Sequence, residues 1–318
     1  MSGTERTASV AIVIRTKDRP EFLRRALVSI VGQSFGDWQA VIVNDGGDPA
    51  LVRETVAELD AEQQAKFRFV DSAESRGRWV SANAGVLATT APLLVLHDDD
   101  DTWHPEFLAR ATAYLEQRPE RVGVVARIER LWEERDASGV LVPVRREVFQ
   151  GHLANPTLSA ALLFNRFVPI GYLYRRSLHE EFGLYEEALP VIGDWDFNLR
   201  VLSKHSLEFL EGEPLAYWHH REGVTGSAGN SVIHASDDHV KYDELVRDEA
   251  LREFVDQFGL GLPLYLTKFV NGRIANLERQ LRREIREEGE RTRAEMLRIS
   301  TITRLKRLAR RGIGSRDE

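Results

Sequence analysis

Leu93-Leu94-Val95-Leu96-His97-Asp98-Asp99-Asp100-Asp101 is an apolar run that stops on four consecutive aspartates. A short apolar run ended by a polar cluster reads as a buried strand of the kind found in parallel sheets. Working back toward the N-terminus, Phe67-Arg68-Phe69-Val70, Ala40-Val41-Ile42-Val43 and Val10-Ala11-Ile12-Val13-Ile14 read the same way. Between these strands lie predicted helices at 21–33, 50–64 and 81–87. In the first, Phe22, Leu23, Ala26, Leu27 and Ile30 recur at helical spacing. Strand and helix alternating at this interval predict right-handed βαβ units and a parallel sheet, hence an α/β fold.

Beyond the aspartates the pattern is mixed. Residues 105–117 read as a helix, opened by Pro105, which suits a first helical turn. Residues 122–128 and 140–144 read as strands around the loop Asp136-Ala137-Ser138-Gly139. A further strand is expected over 167–174 and a helix over 196–204. From about residue 235 the chain is mostly helical and rich in charge. Residues 273–310 hold one breaker, Gly289.

The 318 residues predict about two domains, or one large domain with an appendage. A hydrophobic fraction of 42% is enough to bury a sizeable core. The formal net charge of −7 argues against binding nucleic acid over the whole surface, because phosphate needs a positive field. The chain contains no cysteine, which excludes disulfides, zinc–thiolate sites, iron–sulfur clusters and cysteine nucleophiles. Residues 1–8 are polar and the run 10–14 is too short for a signal-peptide core. No stretch approaches the ~20 apolar residues that span a bilayer. The expected location is therefore cytoplasmic.

Ligands of open parallel sheets bind outside the carboxyl ends of the strands. Three strand ends here carry polar clusters: Thr16-Lys17-Asp18-Arg19, Asn44-Asp45-Gly46-Gly47 and Asp98 to Asp101. Such residues also simply make turns, and for the first two clusters both readings stand. In the third, four adjacent carboxylates repel, and a helix cap needs only one of them. A divalent cation would resolve that conflict. Oxygen ligands suit Mg²⁺ or Mn²⁺, which usually share one or two carboxylates with substrate phosphates. The alternative is a solvated acidic loop.

The order of short motifs then carries a resemblance. Residues 10–19 resemble an opening strand and a "T-x-N-R" turn, with Asp18 where Asn is commoner. Ser29-Ile30-Val31-Gly32-Gln33-Ser34 resembles "S-[VI]-x-x-Q-[ST]", and Val43-Asn44-Asp45-Gly46-Gly47 resembles "V-[DN]-D-G-S". Arg76-Gly77 with Ser81-Ala82-Asn83-Ala84-Gly85 resembles "N-x-G-x-x-x-A-x-N-x-G". Leu96 to Pro105 is close to "L-D-D-D-D-x-W-x-P". Further on, Tyr174 to Gly183 resembles an "R-R-x-x-[FL]-x-x-x-G" segment. Gly193-Asp194-Trp195-Asp196 resembles "E-D-W-D", and Leu215 to His220 resembles "P-L-[AV]-x-[YW]-R-x-H". Residues 8–226 thus resemble family 2 glycosyltransferases of the GT-A fold.

That resemblance implies a Rossmann-like, mostly parallel central sheet flanked by helices. Residues 1–105 would form the nucleotide-sugar-binding half, 106–230 the acceptor-binding half and 231–318 a helical extension. It implies inverting transfer from a nucleoside-diphosphate sugar to an acceptor hydroxyl on a polysaccharide, glycolipid or lipid-linked glycan, with Mn²⁺ or Mg²⁺. Thr16, Asp18, Arg19, Asp45, Arg76, Asn83, Asp98 and Asp99 would contact the donor, with Arg78 an alternative to Arg76 at the phosphates. Asp100 and His220 would ligate the cation, with His219 second in line. Asp194 would be the base, with Gly193 standing where the family commonly has Glu. Its pKa would be raised by desolvation beside Trp195. Trp103, Trp195 and Asp196 would meet the acceptor. Asp194 and Asp196 also suit a helix start, and Trp103 and Trp218 also suit a core. The runner-up enzyme class, a nucleotidyltransferase, lacks its glycine-rich loop after the first strand. A non-catalytic scaffold is disfavoured by the joint presence of Asp45, the aspartate run, Asp194 and His220.

Near the C-terminus, Ile274, Leu277, Leu281 and Ile285 lie on one stripe among alternating charges. That fits a helix packed on the enzyme or on a partner copy in a homo-oligomer. From Arg298 to Arg311 only basic charges appear. A basic amphipathic helix fits a peripheral site at the inner face of a membrane, and equally a docked or dimerising helix. The family's lipid-linked acceptors incline the expectation to the membrane.

Overall fold

The computed structural model describes residues 8–221 and 236–313. The chain divides into two compact units, residues 1–246 and 247–318. The expected boundary at 230/231 lies outside the described residues, as do the side chains of 303–313, which cover most of the basic stretch Arg298 to Arg311.

In chain order the strands are β1 (Val10–Thr16), β2 (Trp38–Asp45), β3 (Phe67–Ser72), β4 (Leu93–Asp98), β5 (Thr102–Trp103), β6 (Gly123–Val125), β7 (Ile128–Arg135), β8 (Leu141–Val148), β9 (Tyr172–Arg175) and β10 (Ala216–His220). The main helices of the first unit are α1 (Pro20–Val31), α2 (Pro49–Ala57), α3 (Ala61–Gln64), α4 (Arg78–Leu87), α5 (Phe107–Glu116), α6 (Leu158–Ala161), α7 (Ser177–Phe182) and α8 (Gly193–Leu202). Two long helices follow, α9 (Ser236–Phe258) and α10 (Gly261–Ile313).

A six-stranded sheet runs β3-β2-β1-β4-β9-β6. Its first four strands are parallel, whereas β9 is antiparallel to both β4 and β6. Every residue of β1 is buried, which is why its first five residues, Val10 to Ile14, form a continuous apolar run. Helix α4 lies close against the sheet at Gly85, where a Cβ would strike the Val13 side chain. Strand order reverses between β1 and β4, so their carboxyl ends open a crevice there. The register sets Arg15 opposite Asp98.

A second sheet runs β5-β10-β7-β8. Strand β10 pairs in parallel with β7 and antiparallel with β5. The aspartate run is therefore pinned on both sides, by β4 before it and by β5 after it. This second sheet also brings the His219–His220 end of β10 against Leu131 and Trp132 of β7.

Several expected elements are divided. The helix predicted over 50–64 is two, because Asp60 caps α3 through a capping box with Gln63. The strand predicted over 122–128 ends at Val125, and the chain re-enters the second sheet at Ile128. The strand predicted over 167–174 begins with a 3₁₀ turn, Pro169–Gly171, since Pro169 has no N–H for a ladder. Strand β7 lacked the alternation that would have announced it, because its Leu131, Trp132 and Glu133 are buried in succession around a bulge.

Candidate active site

The carboxyl ends of β1 and β4 meet in a network of charge. Arg15 reaches Asp98 Oδ1 with Nε at 2.9 Å and Nη2 at 2.5 Å. Thr16 Oγ1 donates to Asp99 Oδ2 at 2.6 Å, and Arg19 pairs with both Asp99 and Asp100. From the end of β10, Arg221 Nη2 reaches Asp100 Oδ2 at 2.5 Å. The fourth aspartate, Asp101, accepts the His219 backbone N–H at 3.0 Å.

Arginines thus reach three of the four carboxylates, Arg15 at Asp98, Arg19 at Asp99 and Asp100, and Arg221 at Asp100, and share in the neutralisation for which the sequence suggested a cation. The residual imbalance is visible in the proton affinities. Burial, opposed by Arg19, pushes Asp99 up to about 7. Burial pushes Asp101 well above the carboxylate range. Asp100 is held below that range, because Arg19 and Arg221 outweigh its burial.

A second layer of the network explains the histidine pair. His219 Nδ1 lies 2.7 Å from Glu133 Oε1, and its Nε2 lies 2.7 Å from Thr102 Oγ1. Burial pushes the His219 pKa down. A neutral ring donating from Nδ1 and accepting at Nε2 satisfies both contacts. Burial favours a protonated Glu133, yet the hydrogen bond from His219 and the charge of Arg25 hold it at about 2. His220 faces the other way, as alternation along a strand requires. Its ring lies between Trp218 and Trp132, and its buried Nε2 has no hydrogen-bond partner among the described residues.

Against this rim lies a cleft of about 280 Å³. Asp98, Asp100 and Asp101 line it together with Arg15, Arg78, Asp194, Asn165, Phe149, Trp218 and His239. Asp194 is the second residue of α8 and makes no cap, since the cap position is Ile192, held in the left-handed region at φ 55°. Its Oδ2 accepts from Asn165 Nδ2 at 2.7 Å, and Asn165 Oδ1 in turn accepts from Asn198 Nδ2 at 3.1 Å. Burial raises the Asp194 pKa, against the pull of Arg78 and Arg15.

Other expected residues stand elsewhere. Trp103 is buried in the core and donates from Nε1 to the Ile170 carbonyl at 2.7 Å. Trp195 is likewise buried, donating from Nε1 to the Ala161 carbonyl at 2.7 Å. The raised pKa of Asp194 comes from desolvation, as the sequence led one to expect. Asp196 pairs with Arg200 one helical turn on, at 2.7 Å. Asn83 is buried, and its amide ties α4 to Tyr185 and Glu187. Asp18, at φ 51°, accepts the Asp48 N–H, while Asp45 gathers Ser75 and the N–H groups of Arg76 and Gly77. The Arg76 side chain is exposed; Arg78, two residues on, is the arginine that lines the cleft.

Sequence reasoning passed over Arg15, Asn165, Arg221 and His239. Arg15 had a signal, being a charge inside an otherwise apolar strand. Asn165 and His239 had none, because their partners lie far away in sequence.

Residues 11–182, just over half of the 318, match the model of glycosyl transferase family 2. The chain belongs to glycosyl transferase family 2. A Bacillus subtilis relative, the glycosyltransferase YwdF, is 28% identical over 200 residues, covering 63% of this chain and 70% of its own. A Mycobacterium tuberculosis relative, the PGL/p-HBAD biosynthesis glycosyltransferase, is 27% identical over 199 residues, covering 62% and 71%. Among solved structures, residues 1–349 of Staphylococcus aureus TarS in complex with UDP-GlcNAc superpose with a TM-score of 0.55 at 16% identity. That match covers 70% of this chain and 61% of the TarS segment, so the shorter of the two spans only part of the other. The fold is that of GT-A enzymes, and this family 2 member is a glycosyltransferase. Its departure at Gly193 has a steric reason: a Cβ there would stand 2.8 Å from the Trp79 ring. Trp79 in turn carries the Arg15 guanidinium 5.0 Å from its ring centre. Among the described residues no helix is long and apolar enough to cross a membrane.

Proposed function

We propose that this glycosyltransferase moves a sugar from a nucleoside-diphosphate sugar to an acceptor hydroxyl with inversion at the anomeric carbon. The observation that carries the proposal is the meeting of Asp98 and Asp100 with Asp194 in one cleft, although about a hundred residues of sequence separate them. The donor end is formed by the rim, residues 1–105, and the acceptor end by residues 106–230. Thr16, Arg19, Asp45, Asp98 and Asp99 belong to the donor end. Arg15 and Arg78 stand in the cleft wall with guanidinium groups suited to phosphate oxygens.

The residues present fit a divalent cation of the kind that arrives with a diphosphate. Asp100 offers a buried carboxylate at the cleft, and His220, outside the cleft lining, offers a buried Nε2 with no hydrogen-bond partner among the described residues. No three His, Asp or Glu side chains among the described residues form a closed ligand set. A two-ligand protein contribution suits Mg²⁺ or Mn²⁺, which keep places for phosphate oxygens and water. Bound there, the cation would neutralise charge on the departing diphosphate.

The remaining chemistry falls to the chain itself. The acceptor oxygen attacks the anomeric carbon as the bond to the diphosphate oxygen breaks, and that oxygen keeps the electron pair. The acceptor proton passes to Asp194, whose raised proton affinity suits a base. Phe149 and Trp218 supply apolar surface beside the acceptor's path. The acceptor class is a polysaccharide, glycolipid or lipid-linked glycan, and the working location is the cytoplasm or the inner membrane surface.

Release of nucleoside diphosphate from UDP-, GDP-, dTDP- and CDP-sugars, each with Mn²⁺, Mg²⁺ or chelator, tests the proposal. Turnover with one donor class that chelator abolishes is expected. Pyrophosphate release instead, or full activity of Asp100→Ala in chelator, would overturn it.

A further inference from the structure

Helix α10 spans 53 residues, a rod of about 80 Å at 1.5 Å per residue. Leu266, Val270, Ile274, Leu277, Leu281 and Ile285 follow one another along it at steps of four or three, and all are exposed, from 46% to 71%. Leu266 and Leu277, Val270 and Leu281, and Ile274 and Ile285 are pairs 11 residues apart. An 11-residue repeat means about 3.67 residues per turn, so the stripe runs nearly straight along the helix. A contiguous apolar strip of this kind marks an interaction surface.

We propose that residues 266–285 pair with the same segment of a second copy of this chain, as a parallel two-helix coiled coil. The charges bordering the stripe favour that occupant. Arg273 and Glu284 border one edge, and Glu278 and Arg282 border the other. In a parallel pair, opposite edges of the two helices meet. That sets Arg273 against Glu278 and Glu284 against Arg282 of the second copy. An antiparallel pair aligned end to end over 266–285 brings like edges together but leaves Arg273 and Glu284 six residues out of step, and Glu278 and Arg282 nine, or about 9 and 13 Å. The seam ends where Glu288 and Gly289 follow it. A membrane is the weaker occupant: residues 273–295 carry seven arginines and six glutamates, which leaves little net attraction to anionic lipid.

The test uses the full chain. Light scattering after size exclusion should give twice the 36.2 kDa chain mass, and the double variant Leu277→Glu, Leu281→Glu should give a single chain mass with unchanged helical circular dichroism. Because the chain has no cysteine, a single one reports alignment cleanly. Leu281→Cys should form a disulfide-linked dimer on mild oxidation, whereas Arg283→Cys, on the opposite face, should not. The cysteine pair decides the matter if the double variant misfolds. A single-chain mass for the unaltered protein at tens of micromolar would overturn the proposal, as would equal cross-linking of both cysteine variants. So would a single-chain protein that pellets with phosphatidylglycerol vesicles and loses that pelleting in the double variant, since the stripe would then belong to a lipid surface.

Discussion

The rim of the first sheet and helix α10 are both built from arginines and carboxylates, yet the two regions use them in opposite ways. At the rim, Arg221 and Asp100 pair across 121 residues of sequence, with side chains only 2% and 11% exposed. On α10, Arg282 and Glu278 pair across one helical turn, 74% and 58% exposed. Coulomb attraction at equal distance is several-fold stronger where water is excluded, and so is the cost of stripping water from each ion. The rim is therefore a unit in which loss of one member strands the others. The helix carries pairs that water could replace at almost no cost.

Substitutions can break or sharpen that contrast. The largest effect should fall on Asp194→Asn, which keeps the side chain's size and removes its basicity. Its kcat should drop by ~10²–10⁴ while its melting temperature stays near that of the unaltered protein. A large loss of stability with activity retained per folded molecule would instead make Asp194 a structural residue. Next, Arg221→Ala leaves Asp100 and Glu133 with weaker neutralisation in a buried setting. A cost of roughly 3 kcal/mol is expected, read as a fall in Tm of about 10 °C. An unchanged Tm would mean that Arg19 and Arg25 suffice and that the rim is not cooperative.

Smaller still is the effect of Asn165→Ala. Asn165 donates to the ionised form of Asp194 and so helps lower its pKa; removing the donor should raise it further. A base must be deprotonated, so the acid limb of the kcat profile should move to higher pH. A uniform loss of rate with an unmoved limb would count against this positioning role. Arg282→Ala should do least, changing stability by no more than ~0.5 kcal/mol. A larger loss that disappears on dilution would point to the intermolecular pairing proposed for α10.

Much of the fold was legible in sequence because burial on both faces leaves a continuous apolar signature. Strands β1, β2 and β4 announced themselves in that way, and the polar clusters at their ends located the crevice. Strand β7 was not legible, because half of it packs through a bulge, and β5 is only two residues long. Asp98 and Asp100 were marked by their place at the end of β4 and just beyond it. The burial of Trp103 and Trp195 was not, because an indole ring suits a core and a sugar site equally until its neighbours are known.

The sequence by itself determined what local rules can determine: the α/β class, the strand–helix alternation, the acidic stop after β4, the absence of thiol chemistry and the motif order of family 2. Those features depend on residues near one another in the chain, whose periodicity and turn chemistry act over a few positions. Only the tertiary structure decided which arginine neutralises which aspartate, which of two adjacent histidines keeps a vacant nitrogen, and that Asn165 grips Asp194. Such facts depend on contacts closed across tens to more than a hundred residues. Burial there changes the sign of a charged group's contribution, and no local pattern records it.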